Sequence, residues 1–483
     1  MELCVGVRNA IIYFSALALA LASNLCFTFA IDLMLTLPQE FVQRIKMQLG
    51  NEAESFFNAL EQPSPTSIRL HHLKGKSSFP YKERVPWCEN GQYLNSRPFF
   101  FLDPHWHGGA YYVQEASSMI LDAVLSRLQL DESPRIWLDV CAAPGGKTGI
   151  LAKHLGTSDI LLSNEVIGQR RTILRENLVK AGYLNVMISG EPASSFLEPF
   201  ADIILIDAPC AGEGMMRKEP EAIRQWAPSL IQSCSLLQKQ IVSDAVLALK
   251  LEGYLIYSTC SYSMAENLQN ISYFIDKHQL VSVPMTFPEE WRIVTMHENE
   301  AYGYQLYPHR VQGEGLFIAV LRKTSIDDSG YRKVKKPFNL FETLPAHLAA
   351  HISNPDGYRV RKNNPTLQLI TTAAEAKANE LLMHVPRAEA LVEAGEMKGK
   401  DFVPAHSMAM AGIGDKHYEI LDLELSAALD FLERNTNTLP ENKKQGWYLI
   451  RYEGTLLGWA KCTAQGWKNH YPMNWRLRDR HKK

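Results

Sequence analysis

Two cysteines stand at the ends of two apolar, β-branched runs that are typical of buried strands. Cys210 closes ADIILIDAPC, and Cys260 closes GYLIYSTC. Because ligands of an open α/β sheet bind at the carboxyl ends of its strands, both thiols are expected in one crevice. A single strand-end cysteine is more often a small buried hydrophobic residue, but two at equivalent positions favour chemistry. Together they indicate an enzyme that attacks a pyrimidine ring with a thiolate.

A glycine-rich turn follows an upstream strand and opens a helix. Its small residues let backbone N–H groups and the helix N-terminus approach a ligand closely. The segment nearly matches the phosphate-binding pattern GxxxxGK[ST], but it has a cysteine where the first glycine belongs and a proline that lacks an N–H. A nucleoside cofactor therefore fits better than a triphosphate, although a turn without a ligand is an alternative. The candidate cofactor-binding residues are Cys141, Ala142, Ala143, Pro144, Gly145, Gly146 and Lys147.

Two carboxylates stand at further strand ends. Glu165 lies 24 residues after Cys141, where an acidic residue typically binds ribose hydroxyls. Asp207 could accept a hydrogen bond from an amide-like edge or protonate a ring nitrogen. We also expect Ser263 to cap a helix whose positive N-terminus stabilises the Cys260 thiolate.

Candidate RNA contacts are sought in local basic patches, because the net charge is −2 and the sequence pI is about 6.7. Arg170, Arg217 and Lys218 are the candidate phosphate contacts. The eight cysteines include no Cys-x-x-Cys pair, so we expect no metal site and a reducing, cytoplasmic environment. His105 and His107 are interpreted as a surface loop rather than as metal ligands.

Strand and helix patterns alternate between residues 116 and 323. This alternation predicts an α/β domain with a doubly wound, mainly parallel sheet. The turn-rich VQGEG before LFIAVL predicts an antiparallel hairpin at one edge. A small α+β domain is expected at 34–115, where basic and aromatic residues mix; such a mixture suits single-stranded RNA, and a solvated loop over a local aromatic core is an equal alternative.

The remaining segments are less informative. Residues 1–33 contain an apolar stretch, and we expect translation to begin near Met34, with a membrane anchor as the alternative. Residues 324–340 are a predicted linker, 341–440 an intermediate domain, and 441–483 a basic, tryptophan-rich RNA-binding region. KHYEILDLELSAALDFLERN predicts one amphipathic helix.

Three motifs together resemble the NOL/NOP/Sun family of RNA cytosine-5 methyltransferases: LDVCAAPGGKT, DAPCAGEGMMRKEP and YSTCSYSMAEN. PTSIRL, YYVQEASSM and RRTILRENLVKAG fit the same family. The resemblance covers about residues 34–323. The basic C-terminus is similar to that of the RsmF (YebU) branch of bacterial 16S rRNA enzymes, which carry a PUA-like RNA-binding domain.

The resemblance implies a Rossmann-like class I methyltransferase domain and S-adenosyl-L-methionine as methyl donor. The 141–147 loop would hold this cofactor, Glu165 its ribose, and Asp207 would lie between its methionine part and the target base. Cys260 would be the nucleophile that forms a covalent adduct at cytosine C6, and Cys210 would assist product release. The family often has Asp-Gly after the third strand to contact adenine; the sequence here is SGEP, so Glu191 is the nearest candidate.

The resemblance also implies a ribosomal RNA substrate in the decoding region of the small subunit. We expect a monomer without an obligate protein partner. Three alternatives remain open: a P-loop ATPase, a non-catalytic RNA-binding assembly factor, and a transfer RNA cytosine-5 methyltransferase. Cys141 disfavours the first, and binding alone requires neither thiol of the pair.

Overall fold

The structure is a computed structural model that describes residues 37–325, 339–363, 366–399, 401–441, 443–478 and 480. The apolar stretch of residues 1–33 and most of the predicted linker lie outside the described residues. In the part of the chain that is described, no helix combines the length and the apolar character needed to cross a membrane.

The N-terminal module is a small α+β unit. Its elements are helices α1 (Gln39–Leu49), α2 (Ala53–Glu61) and α3 (Pro104–His107), and strands β1 (Ser67–Leu70), β2 (Tyr81–Arg84), β3 (Gly91–Leu94) and β4 (Tyr111–Val113). The strands form an antiparallel sheet in the order β2-β3-β1-β4. Helices α1 and α2 pack through Phe41 and Phe56, which are fully buried against the central domain.

The central domain alternates strands and helices as predicted. Its strands are β5 (Ile136–Asp139), β6 (Ile160–Asn164), β7 (Val186–Ser189), β8 (Ala201–Asp207), β9 (Leu249–Thr259), β10 (Leu280–Ser282), β11 (Val294–Glu298), β12 (Ala301–Leu306) and β13 (Leu316–Lys323). Its helices are α4 (Ile120–Leu125), α5 (Gly146–Lys153), α6 (Gly168–Ala181), α7 (Pro220–Gln225), α8 (Pro228–Ala245) and α9 (Leu268–His278).

The central sheet is mixed in direction. Strands β5, β6, β7, β8 and β9 are parallel neighbours, and β5, β6 and β7 are buried along their whole length. Burial on both faces explains their continuous apolar sequence. Strands β11, β12 and β13 form one antiparallel edge of the sheet, and the pairing of β12 with β13 confirms the predicted hairpin. Separate apolar clusters lie on the two faces of the sheet.

The segment after the linker packs onto the central sheet. It contains strands β14 (Glu342–Thr343), β15 (Tyr358–Asn363), β16 (Thr366–Thr371), β17 (Glu389–Ala390), β18 (Val392–Glu393), β19 (Gly395–Lys398) and β20 (Asp401–Pro404), and helices α10 (Ala346–Ala349), α11 (Glu375–His384) and α12 (His406–Met410). Strand β17 pairs with β7 and extends the central sheet. This segment is therefore joined to the central domain by backbone pairing.

The last module is a four-stranded sheet. It comprises β21 (Glu419–Asp422), helix α13 (Leu425–Leu432), β22 (Gly446–Tyr452), β23 (Thr455–Thr463) and β24 (Gly466–Asn469). The single amphipathic helix expected over KHYEILDLELSAALDFLERN is wrong, because its first part is β21, which pairs in parallel with β22. The sheet thus begins before residue 441, where the predicted RNA-binding region started.

Candidate active site

The cofactor loop connects β5 to α5 and is fixed by side chains from α6. Gly145 has φ +108° at the helix start, a conformation that L side chains rarely adopt. Arg170 Nη2 donates to the carbonyl of Ala143 at 2.9 Å, and Asn177 Nδ2 donates to the carbonyl of Pro144 at 2.8 Å. Two carbonyls of the loop thus accept hydrogen bonds from α6, and these bonds fix the shape of the loop.

Glu165 follows β6 at the same edge of the sheet and is buried. Its Oε1 accepts the backbone N–H of Ile167 at 2.9 Å. Its Oε2 accepts no hydrogen bond, although Arg170 Nη1 lies 3.4 Å away. A buried acceptor without a donor suits a ligand that carries hydroxyl donors, so the residues present fit the ribose of a nucleoside cofactor.

Asp139, at the end of β5, was not singled out from the sequence. Its Oδ2 accepts the Thr148 hydroxyl at 2.7 Å, and its Oδ1 is buried without a hydrogen-bond partner. Burial raises the pKa of Asp139 to about 7, against the lowering effect of the Thr148 hydrogen bond. The signal that could have found it is its position in LDVC, a carboxylate at the end of a buried strand.

Asp207 and Lys147 join the cofactor loop to the neighbouring strand end. Lys147 Nζ lies 2.9 Å from Asp207 Oδ1, which also accepts the Ser258 hydroxyl at 2.7 Å. Burial lowers the pKa of Lys147, but the adjacent Asp207 carboxylate outweighs burial, so the net shift is upward. Lys147 therefore keeps its positive charge inside the site.

The two cysteines meet as expected from their strand-end positions. The Sγ atoms of Cys210 and Cys260 lie 3.0 Å apart, and both residues are partly accessible. The contact with Cys260, together with burial, raises the pKa of Cys210 well above its ordinary value. The two sulfurs therefore lie close enough to act on one substrate atom or its neighbour.

The predicted helix cap near Cys260 is wrong. Helix α9 begins at Leu268, and no side chain caps it, so Ser263 is not the N-cap. The cation that the structure places at this strand end is the buried Lys147 ammonium, which is paired with Asp207, and Asp207 in turn accepts the Ser258 hydroxyl.

Glu191 lies after β7, with its backbone tied to the neighbouring strand end. Asn164 Nδ2 donates to the Glu191 carbonyl at 2.9 Å, and Asn164 Oδ1 accepts the Glu191 N–H at 3.0 Å. The Glu191 carboxylate lies 3.7 Å from the exposed guanidinium of Arg387. Glu191 is thus placed at the cofactor edge of the sheet. Cys141, in the loop itself, is partly exposed, and burial of its thiol raises its pKa.

One of the three candidate phosphate contacts, Arg217, points into the protein. The Arg217 guanidinium donates to Glu314 at 2.7 Å and to the carbonyls of Ala59 and Gly313, and its side chain is only 6% exposed. Its donors are used inside the protein, where they tie the N-terminal module to the central domain. Lys218 is more accessible, and its Nζ lies 3.4 Å from Glu314. Arg170 donates a hydrogen bond to the loop between β5 and α5.

The two histidines interpreted as a surface loop are buried, so that interpretation is wrong. His105 Nδ1 lies 2.7 Å from the hydroxyl oxygen of Thr455, and His107 Nδ1 lies 3.2 Å from that of Tyr471. They form a joint between the N-terminal module and the last sheet. Among the residues that the structure describes, no group of three or more His, Cys, Asp or Glu side chains could hold a metal ion.

Helix α1 reaches the loop that follows Cys260. Arg44 forms an ion pair with Glu213, a fully buried carboxylate that accepts the N–H of Tyr262 at 2.8 Å. Gln48 Nε2 donates to the Tyr262 carbonyl at 3.0 Å. The N-terminal module therefore holds one wall of the thiol site, a role that the sequence did not indicate.

Three family models match the chain and identify its class as that of the S-adenosyl-L-methionine-dependent RNA methyltransferases. That of 16S rRNA methyltransferase RsmB/F matches residues 125–322, that of the N-terminal domain of 16S rRNA methyltransferase RsmF matches 37–116, and that of the methyltransferase RsmF PUA domain matches 418–477. These three regions coincide with the central domain, the N-terminal module and the last sheet.

Curated relatives extend the same match over most of the chain. Ribosomal RNA small subunit methyltransferase F of Pectobacterium atrosepticum is 33% identical over 352 residues, which cover 67% of this chain and 71% of the relative. The protein of the same name from Shewanella piezotolerans is 28% identical over 472 residues, 90% of this chain and 96% of the relative. The chain belongs to the family of 16S rRNA methyltransferases of the RsmF type, which confirms the resemblance seen in its motifs.

Solved structures agree with this assignment. A methyltransferase homologue from Pyrococcus horikoshii is 29% identical with a TM-score of 0.51, and the match covers 59% of this chain and 95% of that one. NSun6 from Pyrococcus horikoshii with SFG has a TM-score of 0.51 at 20% identity, covering 60% of this chain and 99% of that one, and it shows the shared fold alone.

Proposed function

We propose that this protein methylates C5 of cytosine in 16S ribosomal RNA, in the decoding region of the small subunit, through a covalent adduct on Cys260. The observation that carries the proposal is the 3.0 Å approach of two thiols beside the Lys147–Asp207 pair and the cofactor loop. A non-catalytic RNA-binding protein needs neither the thiol pair nor the buried cation next to it.

The cofactor is proposed to lie along the carboxyl edge of the sheet. The 141–147 loop would line its methionine part, Glu165 Oε2 would accept a hydrogen bond from its ribose, and Glu191 is the candidate at its adenine. When bound, S-adenosyl-L-methionine supplies the electrophilic methyl group that an activated C5 accepts. The unpartnered Oε2 of Glu165 is the feature of this chain that supports the ribose contact.

The protein's own residues would activate the ring. Cytosine C5 is a poor nucleophile, and addition of the Cys260 thiolate to C6 makes the ring enamine-like, which divides one difficult step into easier ones. Asp207 would accept a hydrogen bond from the N4 amino group of the cytosine and, in its protonated form, donate to N3, where negative charge develops. In the last step a base, with water as the final acceptor, would take the C5 proton, and the C6–sulfur bond would break with its electron pair returning to Cys260. Cys210, whose Sγ lies 3.0 Å from that of Cys260, would assist this breakdown.

The target base must reach the thiols from an open loop or by leaving its stack, at a cost of a few kcal/mol. Exposed basic side chains of the last sheet, among them Lys468 and Arg478, would offset that cost by binding phosphates. We propose that the protein acts as a monomer in the cytoplasm, where ribosomal subunits are available. The names of its relatives support the 16S rRNA substrate.

Product analysis tests this proposal. Purified protein and radiolabelled S-adenosyl-L-methionine are combined with small subunits that lack the modification and, in a parallel reaction, with unmodified transfer RNA. The digested nucleosides are identified by mass spectrometry. We expect 5-methylcytidine, located in a decoding-region fragment. A different methylated nucleoside would contradict the C5 chemistry. Label in transfer RNA but not in the subunit would instead support the transfer RNA alternative.

A further inference from the structure

A buried carboxylate that the proposed mechanism does not use lies directly behind the two cysteines. Glu266 is fully buried in the segment that precedes α9. Its Oε1 accepts the backbone N–H of Ala211 at 2.9 Å, and its Oε2 accepts the Ser261 hydroxyl at 2.6 Å. Ala211 follows Cys210 in the chain, and Ser261 follows Cys260. One carboxylate therefore binds both cysteine-bearing loops.

A neighbouring amide reinforces this link. Gln238, on α8, donates from Nε2 to Glu266 Oε1 at 3.0 Å and to the carbonyl of Pro209 at 2.9 Å. Pro209 immediately precedes Cys210. Gln238 and Glu266 are both fully buried, so the loop that carries Cys210 is fixed on each side of the cysteine. Side chains held in this way by buried hydrogen bonds have little freedom to move.

The second cysteine loop is held by the residue next to Glu266. Asn267 Nδ2 donates to the Ser261 carbonyl at 2.8 Å, and Asn267 Oδ1 accepts the Thr259 hydroxyl at 2.6 Å. Cys260 lies between these two anchored residues. The pair Glu266 and Asn267 thus fixes the backbone around Cys260, and only Glu266 also reaches the loop of Cys210.

In the part of the chain that the structure describes, Glu266 is bound by hydrogen bonds to the two cysteine loops and not by an ion pair. No ion pair to Glu266 occurs among the described residues, whereas Glu213, equally buried, is paired with Arg44. Burial, with a contribution from the Glu213 charge, raises the pKa of Glu266 to about 7. A buried carboxyl without a cation is costly, and its hydrogen bonds to the two loops are what offset the cost.

We propose that Glu266 is a positioning residue that sets the separation of the Cys210 and Cys260 thiols by holding Ala211 and Ser261 at once. The proposal rests on the proposed function, because it gives that separation a catalytic purpose. Loss of the carboxylate releases both loops from their common anchor, and a displacement of reacting groups by about 1 Å can lower a rate by roughly 100-fold.

The first test measures thiol separation without RNA or cofactor. Phenylarsine oxide condenses with two thiols only when they are close together, with release of water. We expect the wild-type protein to be captured and Cys210→Ser to be captured far more slowly. Glu266→Ala should slow capture by about tenfold, because the two loops lose their common anchor and the sulfurs spend less time close enough for one arsenic atom to bridge. Glu266→Gln, which keeps an acceptor for Ala211 and a polar group for Ser261, should stay within about threefold of wild type.

Asp159 provides the matched control. It is a buried carboxylate of the same domain, and it accepts the N–H of Arg135 at 2.7 Å and the indole N–H of Trp137 at 2.9 Å, away from the cysteine edge of the sheet. Asp159→Ala should lower thermal stability but leave dithiol capture at the wild-type rate. Equal slowing in Asp159→Ala and Glu266→Ala would overturn the positioning role, since it would mean a general loss of packing.

The second test separates catalysis from cofactor binding. Glu266→Ala should lower kcat for RNA methylation by roughly 100-fold, with the Kd for S-adenosyl-L-methionine changed by less than about twofold. Wild-type capture and wild-type kcat in both Glu266 variants would refute the proposal. A wild-type protein that is captured by the arsenical but transfers no methyl group to any RNA would refute the proposed function instead.

Discussion

Lys147 Nζ lies 2.9 Å from Asp207 Oδ1, so the 141–147 loop is joined by an ion pair to the end of β8. Lys147 lies at the start of the helix that follows β5, and β5 and β8 are neighbouring parallel strands whose carboxyl ends meet at one edge. We expect the two residues to act as a unit in catalysis. Lys147→Met and Asp207→Asn should each lower kcat/KM, and the double variant should lose less than the sum of the two losses.

A double-mutant cycle measures that coupling. From kcat/KM of the four proteins we expect an interaction energy of about 0.5–3 kcal/mol, the range found for contacting residues. The pair formed by Arg451 and Asp422, which lies in the last sheet and is more exposed, serves as a control and should show no coupling in kcat/KM. Strict additivity at Lys147 and Asp207 would contradict a joint role.

Glu165 is expected to matter for cofactor affinity. Glu165→Gln removes the charge from the buried Oε2, which accepts no hydrogen bond from the protein. Loss of a charged acceptor should cost about 2 kcal/mol, or roughly 30-fold in Kd for S-adenosyl-L-methionine. Isothermal calorimetry measures this change, with Glu176→Gln on α6 as the control. An unaltered Kd in Glu165→Gln would contradict the proposed contact between Glu165 and the ribose.

Basic residues of the last sheet are expected to contribute to RNA affinity through charge alone. Lys468 and Arg478 are exposed, and the double substitution Lys468→Glu with Arg478→Glu should weaken binding and reduce the slope of log K against log salt by about 1–2. Lys277→Glu, at the far end of α9, should change neither quantity. Binding titrations at several salt concentrations provide the measurement. An unchanged slope in the double variant would show that these residues make no contact with RNA phosphates.

Stability should fall as pH rises through neutrality. The folded-state pKa of Asp139 is raised to about 7 from an ordinary value near 3.8 by burial, so between these values the folded protein binds more protons than the unfolded chain. The free energy of unfolding then decreases as pH increases from 4 towards 8. Asp139→Asn should remove this part of the dependence, up to a few kcal/mol. Chemical denaturation at several pH values would show it, and identical pH profiles for the two proteins would contradict it.

Much of the central fold could be predicted because local sequence and tertiary context agree there. Strands β5, β6 and β7 are buried on both faces, so their apolar runs are unambiguous. The convergence of Cys210 and Cys260 follows from strand-end positions alone. By contrast, β21 has the apolar spacing of a helix and becomes a strand because it pairs with β22, a partner more than twenty residues away in sequence.

The parts that could not be predicted depend on contacts between distant modules. Arg217 has the composition context of a phosphate ligand, but its guanidinium is used by Glu314 and by a carbonyl of the N-terminal module. His105 and His107 are buried only because the last sheet covers them. The contacts of Glu266 involve two loops that are distant in sequence, so no local sequence pattern could predict them.

In the proposed reaction Cys260 is the nucleophile, and Cys210 assists breakdown of the adduct. The test uses Cys210→Ala protein with S-adenosyl-L-methionine and small subunits that lack the modification, followed by denaturing electrophoresis. We predict a protein–RNA adduct that survives denaturation and disappears when Cys260 is also replaced by alanine. An adduct that persists in the double variant, or methyl transfer by Cys260→Ala alone, would contradict the central claim.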